Sequence, residues 1–179
     1  MRALLDYFYR PHDRALRAAT HYAALVAQAR RPAFYESLGV PDTLDGRFDL
    51  IVLHATLYLK RLRAAGREGR QLAQAVFDQM FFSLDQALRE LGVGDISLPK
   101  KMRNMVSAFY GRAAAYEKAL NAADEQALAD ALTRNLFAGM APPAAVVARL
   151  CAYLREVRDA LAKAPDDIIL ENRFHWAEP

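Results

Sequence analysis

The fold is decided by residues 43–65, TLDGRFDLIVLHATLYLKRLRAA, which carry apolar side chains on two sides of one predicted helix. Leu50, Leu53 and Leu57 form one stripe, nearly opposite a second and longer stripe. A helix that is apolar on two sides belongs in the middle of a bundle, so we expect this helix at the centre of the fold, with Leu53 and Leu57 buried. The longer stripe consists of Phe48, Ile51, Val52, Ala55, Leu59 and Leu62.

Outward from this helix, apolar residues keep a helical period, and no stretch alternates with the period of a strand. The sequence therefore predicts an all-α protein, a compact single-domain bundle of about six or seven helices that occupies residues 1–179. The tail after Pro165 is predicted to be an extended or short helical arm, and its Phe174 and Trp176 indicate that it docks. The predicted helices are 14–30, 32–38, 43–65, 67–91, 98–121, 124–138 and 143–162.

The composition is that of an ordinary globular protein, with 179 residues, 54% of them apolar and 25% charged. A chain of this length buries about 70% of its unfolded surface, so its core needs neither a metal nor a disulfide. Cys151 stands in a helical pattern and is expected to be a buried apolar residue. Residues 1–14 lack the features of a signal peptide, and no apolar run is long enough to cross a bilayer. We expect a cytoplasmic protein.

Charge is distributed unevenly along the chain. Residues 121–179 have six Lys/Arg and nine Asp/Glu, which leaves the first two thirds of the chain basic. Basic surface fits nucleic acid, anionic lipid or an acidic protein partner, and charge alone does not choose among them. A basic RNA- or ribosome-binding helical module is therefore one alternative, although no motif for specific DNA binding is present. The candidate basic patch consists of Lys60, Arg61, Arg63, Arg67 and Arg103.

Motifs that would indicate an enzyme are absent from the sequence: it has no phosphate-binding loop, zinc-protease motif, paired CxxC or nucleophile elbow. Its four histidines are scattered, and His54 between the two apolar stripes is interpreted as a hydrogen-bonded core residue. Asp78 and Asp85 stand seven residues apart on one helix face, too far for direct proton sharing. The sequence therefore predicts a protein without catalytic residues, metal or cofactor.

Phe82 is out of place in the fourth predicted helix. It points away from the apolar face and shares its side with Asp78, Asp85 and Arg89. An aromatic residue among charges needs a partner, which is either another helix of this chain or another protein. The apolar face of this helix, to which Phe82 does not belong, consists of Ala73, Phe77, Met80, Phe81, Leu84, Leu88 and Leu91.

Lys100, Lys101 and Arg103 crowd the first turn of the fifth predicted helix. Positive side chains at a helix N-terminus oppose the helix dipole, at about 0.3 kcal/mol or more per charge. Their presence there indicates a role other than helix stability.

Three stretches resemble the ubiquinol-cytochrome c chaperone family, also called cytochrome b assembly chaperones. They are GVPDTLDGRFDLIVLHATLYLKRLR, QAVFDQMFFSLDQALRELGVGDISLPKKM and FYGRAAAYEKAL, and the resemblance covers roughly residues 15–137. It implies a compact helical fold, a role in maturation of the cytochrome bc complex, and cytochrome b as the client. A small partner assembly factor and the ribosome are implied as further partners, and the chain is similar to a bacterial member. A haem-handling enzyme with His54 as ligand is the remaining alternative.

Charged residues that match the family pattern gather where the fourth helix ends and the fifth begins. A short loop brings them to one end of the bundle, and packing gives little reason for them. We interpret them as a docking site for client or partner, which can also rest against the anionic surface at the inner membrane periphery. The candidate residues are Phe82, Asp85, Arg89, Glu90, Asp95, Lys100, Lys101 and Arg112.

Overall fold

The all-α prediction is confirmed in a computed structural model, which describes residues 2–137 and 140–179, and side chains from residue 13 onward. The described residues form eight helices and no strand. The predicted end of the sixth helix at residue 138 lies outside the described residues. The helices are α1 Arg2–Ala29, α2 Pro32–Glu36, α3 Leu44–Ala64, α4 Gly66–Glu90, α5 Leu98–Ala122, α6 Glu125–Leu136, α7 Ala144–Lys163 and α8 Asp166–Leu170.

Helix boundaries follow local hydrogen bonding. Thr43 caps α3, because its Oγ1 accepts a bond from the backbone N–H of Gly46 at 3.1 Å. Asp124 caps α6 in the same way through the backbone N–H of Ala127 at 2.9 Å. After α4 the backbone turns at Gly92, whose φ of 80° is one that glycine adopts without strain. Side-chain caps and a glycine turn therefore fix the positions of α3, α4 and α6.

The centre of the bundle is α3, as its two apolar stripes predict. It packs against α1, α4, α5, α6, α7 and α8. Leu53 and Leu57 are buried, with 1% and 7% of their surfaces exposed. A continuous apolar core extends from Ala18 in α1 to Ile169 in α8. Each outer helix therefore buries its apolar face against the same central helix or against a neighbour of that helix.

Leu91 corrects the predicted apolar face of the fourth helix. It was expected in the core, but it is 64% exposed. The reason is that α4 ends at Glu90, so Leu91 is the C-cap residue and the chain turns away at Gly92. The remaining members of that face are buried or pack against the core.

The C-terminal arm, α8 with residues 171–179, docks across the bundle. The ring of Trp176 lies 5.4 Å from that of His54 and 5.6 Å from that of Tyr58, between ring centroids. Gln28 on α1 donates a hydrogen bond to the carbonyl of Ala177 at 3.0 Å. The arm thus covers the central helix at the level of His54.

Candidate functional site on the α4–α5 hairpin

His54 belongs to a buried hydrogen-bond network that joins three helices. Its Nδ1 donates to the Leu50 carbonyl at 2.7 Å, so its Nε2 accepts from the Tyr153 hydroxyl at 2.8 Å. Gln28 donates to the same hydroxyl at 2.8 Å. Burial lowers the pKa of His54 to about 4, so the ring is neutral at pH 7. The prediction of a hydrogen-bonded core histidine is confirmed, and neither ring nitrogen is open to a haem iron.

The other side chains that could bind a metal or take part in a reaction are dispersed or buried. Among the described residues, no three or more His, Cys, Asp or Glu side chains come together in a way that could hold a metal ion. Cys151 is buried, as its sequence pattern predicts, and burial raises the pKa of its thiol. Asp78 is exposed and accepts a hydrogen bond from Gln74 at 2.7 Å.

Arg89 organises the loop between α4 and α5. Its guanidinium pairs with Asp85 at 2.8 Å through Nε and with Asp95 at 2.8 Å through Nη1. One cation thereby ties the last turns of α4 to the loop that follows, at the helix junction where the sequence placed these charges. The structure brings Asp85, Arg89, Glu90, Asp95, Lys100 and Lys101 to one end of the bundle, and we call this set the charged corner.

Arg112 does not join the ion pairs of the charged corner, which corrects its predicted place in this cluster. Its Nε lies 2.8 Å from the buried Asp49 carboxylate of α3, and its guanidinium stacks over the Phe48 ring at 5.6 Å. The physical reason is the burial of Asp49. Its carboxylate lies in the most buried helix, and a buried carboxylate requires a cation beside it. Lys101 and Arg112 line the two ends of a shallow cavity of about 260 Å³ between α3 and α5.

Phe82 is 60% exposed, so no described helix of its own chain buries it. It stands at the edge of a shallow cavity of about 340 Å³ between α4 and α1, where Ala15 and Ala18 lie. Of the two alternatives that the sequence left open, burial by another described helix is excluded. A contact with another protein stays a prediction.

Exposed apolar side chains concentrate on the α4–α5 hairpin, residues 66–122. Of seven large apolar residues that are exposed in the described part of the chain, four belong to this hairpin. The sequence singled out Phe82 for its position on the polar side of its helix but missed the other three, because Leu91 fitted the apolar period and Ile96 stands alone in a loop. The four are Phe82 at 60%, Leu91 at 64%, Ile96 at 99% and Tyr110 at 56% exposure.

The basic residues do not form one continuous patch. Lys60 at the end of α3 donates to Asn121 at the end of α5 at 3.3 Å, whereas Lys101 stands in the first turn of α5. The 20 residues between Lys101 and Asn121 correspond to about 30 Å of helix. Arg63 and Arg67 lie at the first of these ends and Arg103 at the second, all exposed. A continuous basic patch was the feature that would favour an RNA- or ribosome-binding surface, and the separation of these residues means that they do not form one.

Arg61 also differs from its predicted role in the basic patch. Only 13% of its side chain is exposed, and it donates to the Leu161 and Ala164 carbonyls at 3.0 and 2.7 Å. These carbonyls end α7, so the cation satisfies groups that the helix itself leaves unpaired. Arg61 lines a cavity of about 440 Å³ at the C-terminal ends of α3, α5 and α7.

Together these features define an all-α protein with a mixed apolar and charged surface on one hairpin. The sequence profile of the family described as ubiquinol-cytochrome C chaperone matches residues 36–176. The chain therefore belongs to the ubiquinol-cytochrome c chaperone family, which confirms the resemblance. The matched range continues through α7 and into the C-terminal arm.

Similarity to named proteins supports the same family assignment. The chain is 26% identical over 156 residues to ubiquinol-cytochrome-c reductase complex assembly factor 1 of Xenopus laevis, covering 87% of this chain and 78% of the frog protein. The human assembly factor 1 gives the same identity over 156 residues, but the match covers only 52% of that protein. The chain thus spans about half the length of its human relative.

The fold also matches a solved bacterial structure. The crystal structure of the Cbp3 homolog from Brucella abortus superposes with a TM-score of 0.85 and 36% sequence identity. The match covers 98% of this chain and 97% of that one. None of the described helices of the present chain is both long enough and apolar enough to cross a membrane.

Proposed function

We propose that this chain is an assembly chaperone of the ubiquinol-cytochrome c reductase complex and that it binds cytochrome b through the α4–α5 hairpin. The observation that carries the proposal is the concentration of four exposed apolar side chains on this one hairpin. Apolar anchors within a polar rim are typical of protein interfaces. The family and the names of the relatives support the same role.

The α4 surface offers both components of such an interface. Phe82, Asp85 and Arg89 share one side of the helix, because three and seven residues correspond to about one and two turns. Phe82 supplies a large apolar contact, while Asp85 and Arg89 supply charge of both signs. Exposed ion pairs add at most about 1 kcal/mol to stability, so folding alone gives little reason for the charged corner.

The client's chemistry suits this mixture. Membrane-spanning helices belong in lipid, so a chaperone outside the bilayer meets the loops and ends of its client, which are rich in charged and polar groups. A surface with both signs of charge and a few apolar anchors binds such segments reversibly. We place the encounter at the cytoplasmic face of the inner membrane, and binding and release there require no catalytic residue.

The proposal is tested by affinity capture from detergent-solubilised membranes of respiring cells. Tagged wild-type protein should retain cytochrome b, and Phe82→Ala should retain several-fold less, because truncating an aromatic anchor removes much of its contact. Met140→Ala is the control, since Met140 is 53% exposed between α6 and α7, outside the hairpin. Both variants should unfold at the wild-type temperature. Equal retention of cytochrome b by wild type and Phe82→Ala, or capture of other proteins alone, contradicts the proposed surface.

A further inference from the structure

The tip of the hairpin, residues 91–101, exposes apolar side chains on a loop that is held by hydrogen bonds. Ile96 is 99% exposed and Leu91 is 64% exposed. The backbone N–H groups of Gly92 and Val93 bond to the carbonyls of Arg89 and Leu88 at 2.9 and 3.0 Å. These two bonds close the end of α4 in the pattern of a Schellman motif, which fixes the direction in which the chain leaves the helix.

Further contacts fix the rest of the loop. The Ser97 hydroxyl donates to the Gly94 carbonyl at 3.0 Å, and Asp95 is tied to Arg89 at 2.8 Å. Leu98, two residues after Ile96, is 2% exposed and anchors the start of α5. The exposure of Ile96 is therefore a feature of the folded loop.

A third apolar side chain stands at the same end. Leu44, in the first turn of α3, is 46% exposed and lines the same cavity as Lys101. Lys100 and Lys101 are exposed in the first turn of α5, and neither is joined to a carboxylate by an ion pair in the described part of the chain. Three apolar side chains and two lysines are thus exposed at this end of the bundle.

We infer that the hairpin tip is a membrane-contact site, at which Ile96 and Leu91 enter the headgroup region of an anionic bilayer while Lys100 and Lys101 meet lipid phosphates. A protruding isoleucine fits a fluid interface, which has no fixed shape, and flanking lysines are attracted to anionic headgroups. Arg89 pairs with both Asp85 and Asp95, so its one positive charge offsets the charge of Asp95 next to Ile96 only in part. The tip belongs to the same hairpin as the proposed client surface, so the membrane contact is tested without client, and its evidence does not rest on the proposed function.

The charges at the tip set the expected balance of forces. Glu90 is exposed beside Leu91, and Asp45 lines the cavity with Lys101, so both carboxylates oppose the lysines at this end. The attraction to anionic lipid is therefore local to Lys100 and Lys101, and it is screened by salt. Apolar contact by Ile96 and Leu91 should contribute more, and it should persist at high salt.

The test is flotation of the purified full chain, without client, with vesicles of phosphatidylethanolamine and phosphatidylglycerol. Ile96→Ser should lower the partition coefficient by about tenfold at every salt concentration, as expected for one buried isoleucine. Leu91→Ser should lower it less. Leu16→Ser is a closely matched control for Leu91, because both leucines are 64% exposed.

The control residue lies far from the tip. Arg17, next to Leu16, pairs with Glu68 in the first turn of α4, and Glu68 is 23 residues from Leu91, about 34 Å of helix. Leu16→Ser should therefore float as wild type does. A second readout is Ile96→Trp, whose fluorescence should be quenched by brominated lipid, whereas Trp176 in the wild type should not be.

The outcomes separate this inference from client binding. It is overturned if the wild type does not float, if Ile96→Ser floats like wild type, or if only Lys100→Glu with Lys101→Glu has an effect. Loss of cytochrome b capture in detergent by Phe82→Ala, with normal flotation, supports the client surface and leaves the membrane contact intact.

Discussion

Asp49 and Arg112 face each other between α3 and α5, with Arg112 Nε 2.8 Å from Asp49 Oδ1. Only 5% of the Asp49 side chain and 24% of the Arg112 side chain are exposed. Burial raises the pKa of Asp49 to about 7, and the guanidinium opposes this shift. The pair therefore holds a carboxylate inside the bundle, unlike the exposed pairs of Arg89.

Removing each arginine should have different consequences. Arg112→Ala leaves a buried carboxylate without its cation and should lower the free energy of unfolding by about 3 kcal/mol. Arg89→Ala removes exposed pairs and should lower it by at most about 1 kcal/mol. Urea unfolding followed by circular dichroism measures both losses. Similar losses for the two variants would show that Arg112 does not serve the buried Asp49.

Asp49 should also give the protein a defined pH dependence. Its pKa is about 7 when folded against an ordinary value of 3.8, so between these values the folded state binds a proton that the unfolded state has released. The resulting stabilisation is present below about pH 4 and is lost as the pH rises to about 7. Asp49→Asn should therefore gain stability relative to wild type as the pH rises through this window.

The comparison is made by urea unfolding at several pH values for both proteins. Burial lowers the pKa of His21 and of His54 to about 4, so their contributions to stability change in the opposite direction. Both histidines are present in both proteins and cancel in the difference. A difference that stays constant between pH 4 and 7 contradicts the raised pKa of Asp49.

Trp176 should keep water from His54. Trp176→Ala opens the contact between the C-terminal arm and α3, and should lower the free energy of unfolding by about 2 kcal/mol, since Trp176 is only partly buried. The pKa of His54 should rise from about 4 toward its ordinary value, because desolvation is the main cause of its shift. Nuclear magnetic resonance titration of the histidine ring measures this pKa.

Phe174→Ala is the control for the arm. The Phe174 ring packs on Trp176 at 5.2 Å between centroids. Its loss should destabilise the arm less and leave the pKa of His54 unchanged. If both variants leave that pKa near 4, then the three helices alone exclude water from His54.

The central position of α3 could be predicted because both of its apolar stripes are visible in one short stretch. The partner of Arg112 could not, because Asp49 is 63 residues away in sequence and only tertiary packing brings them together. The same holds for Arg61, whose partners are carbonyls at the end of α7. The periodicity of a sequence predicts which residues share a helix face, but it does not predict which residues of other helices that face contacts.

The charged corner was predictable in part, since residues on both sides of a short loop must lie close together. The exposure of Leu91 was not, because the apolar period continues through it and only the helix end at Glu90 turns it outward. Phe82 broke the period of its helix, which identified it as a residue in need of a partner but left open whether another helix of this chain or another protein provides that partner.

The charged corner makes the last prediction, which concerns Lys100→Glu combined with Lys101→Glu. Cations in the first turn of α5 oppose its dipole, so the reversal should leave the free energy of unfolding unchanged or slightly higher than that of wild type. Capture of cytochrome b in detergent should fall, and the wild-type interaction should weaken as salt rises. Lys118→Glu is the control for one reversed charge, because Lys118 lies on the same outward side of α5 as Lys100, 18 residues and about 27 Å further along. Normal capture of cytochrome b and normal assembly of the reductase complex in a strain with the reversed charges would exclude the two lysines from the client surface, whatever their effect on vesicle binding.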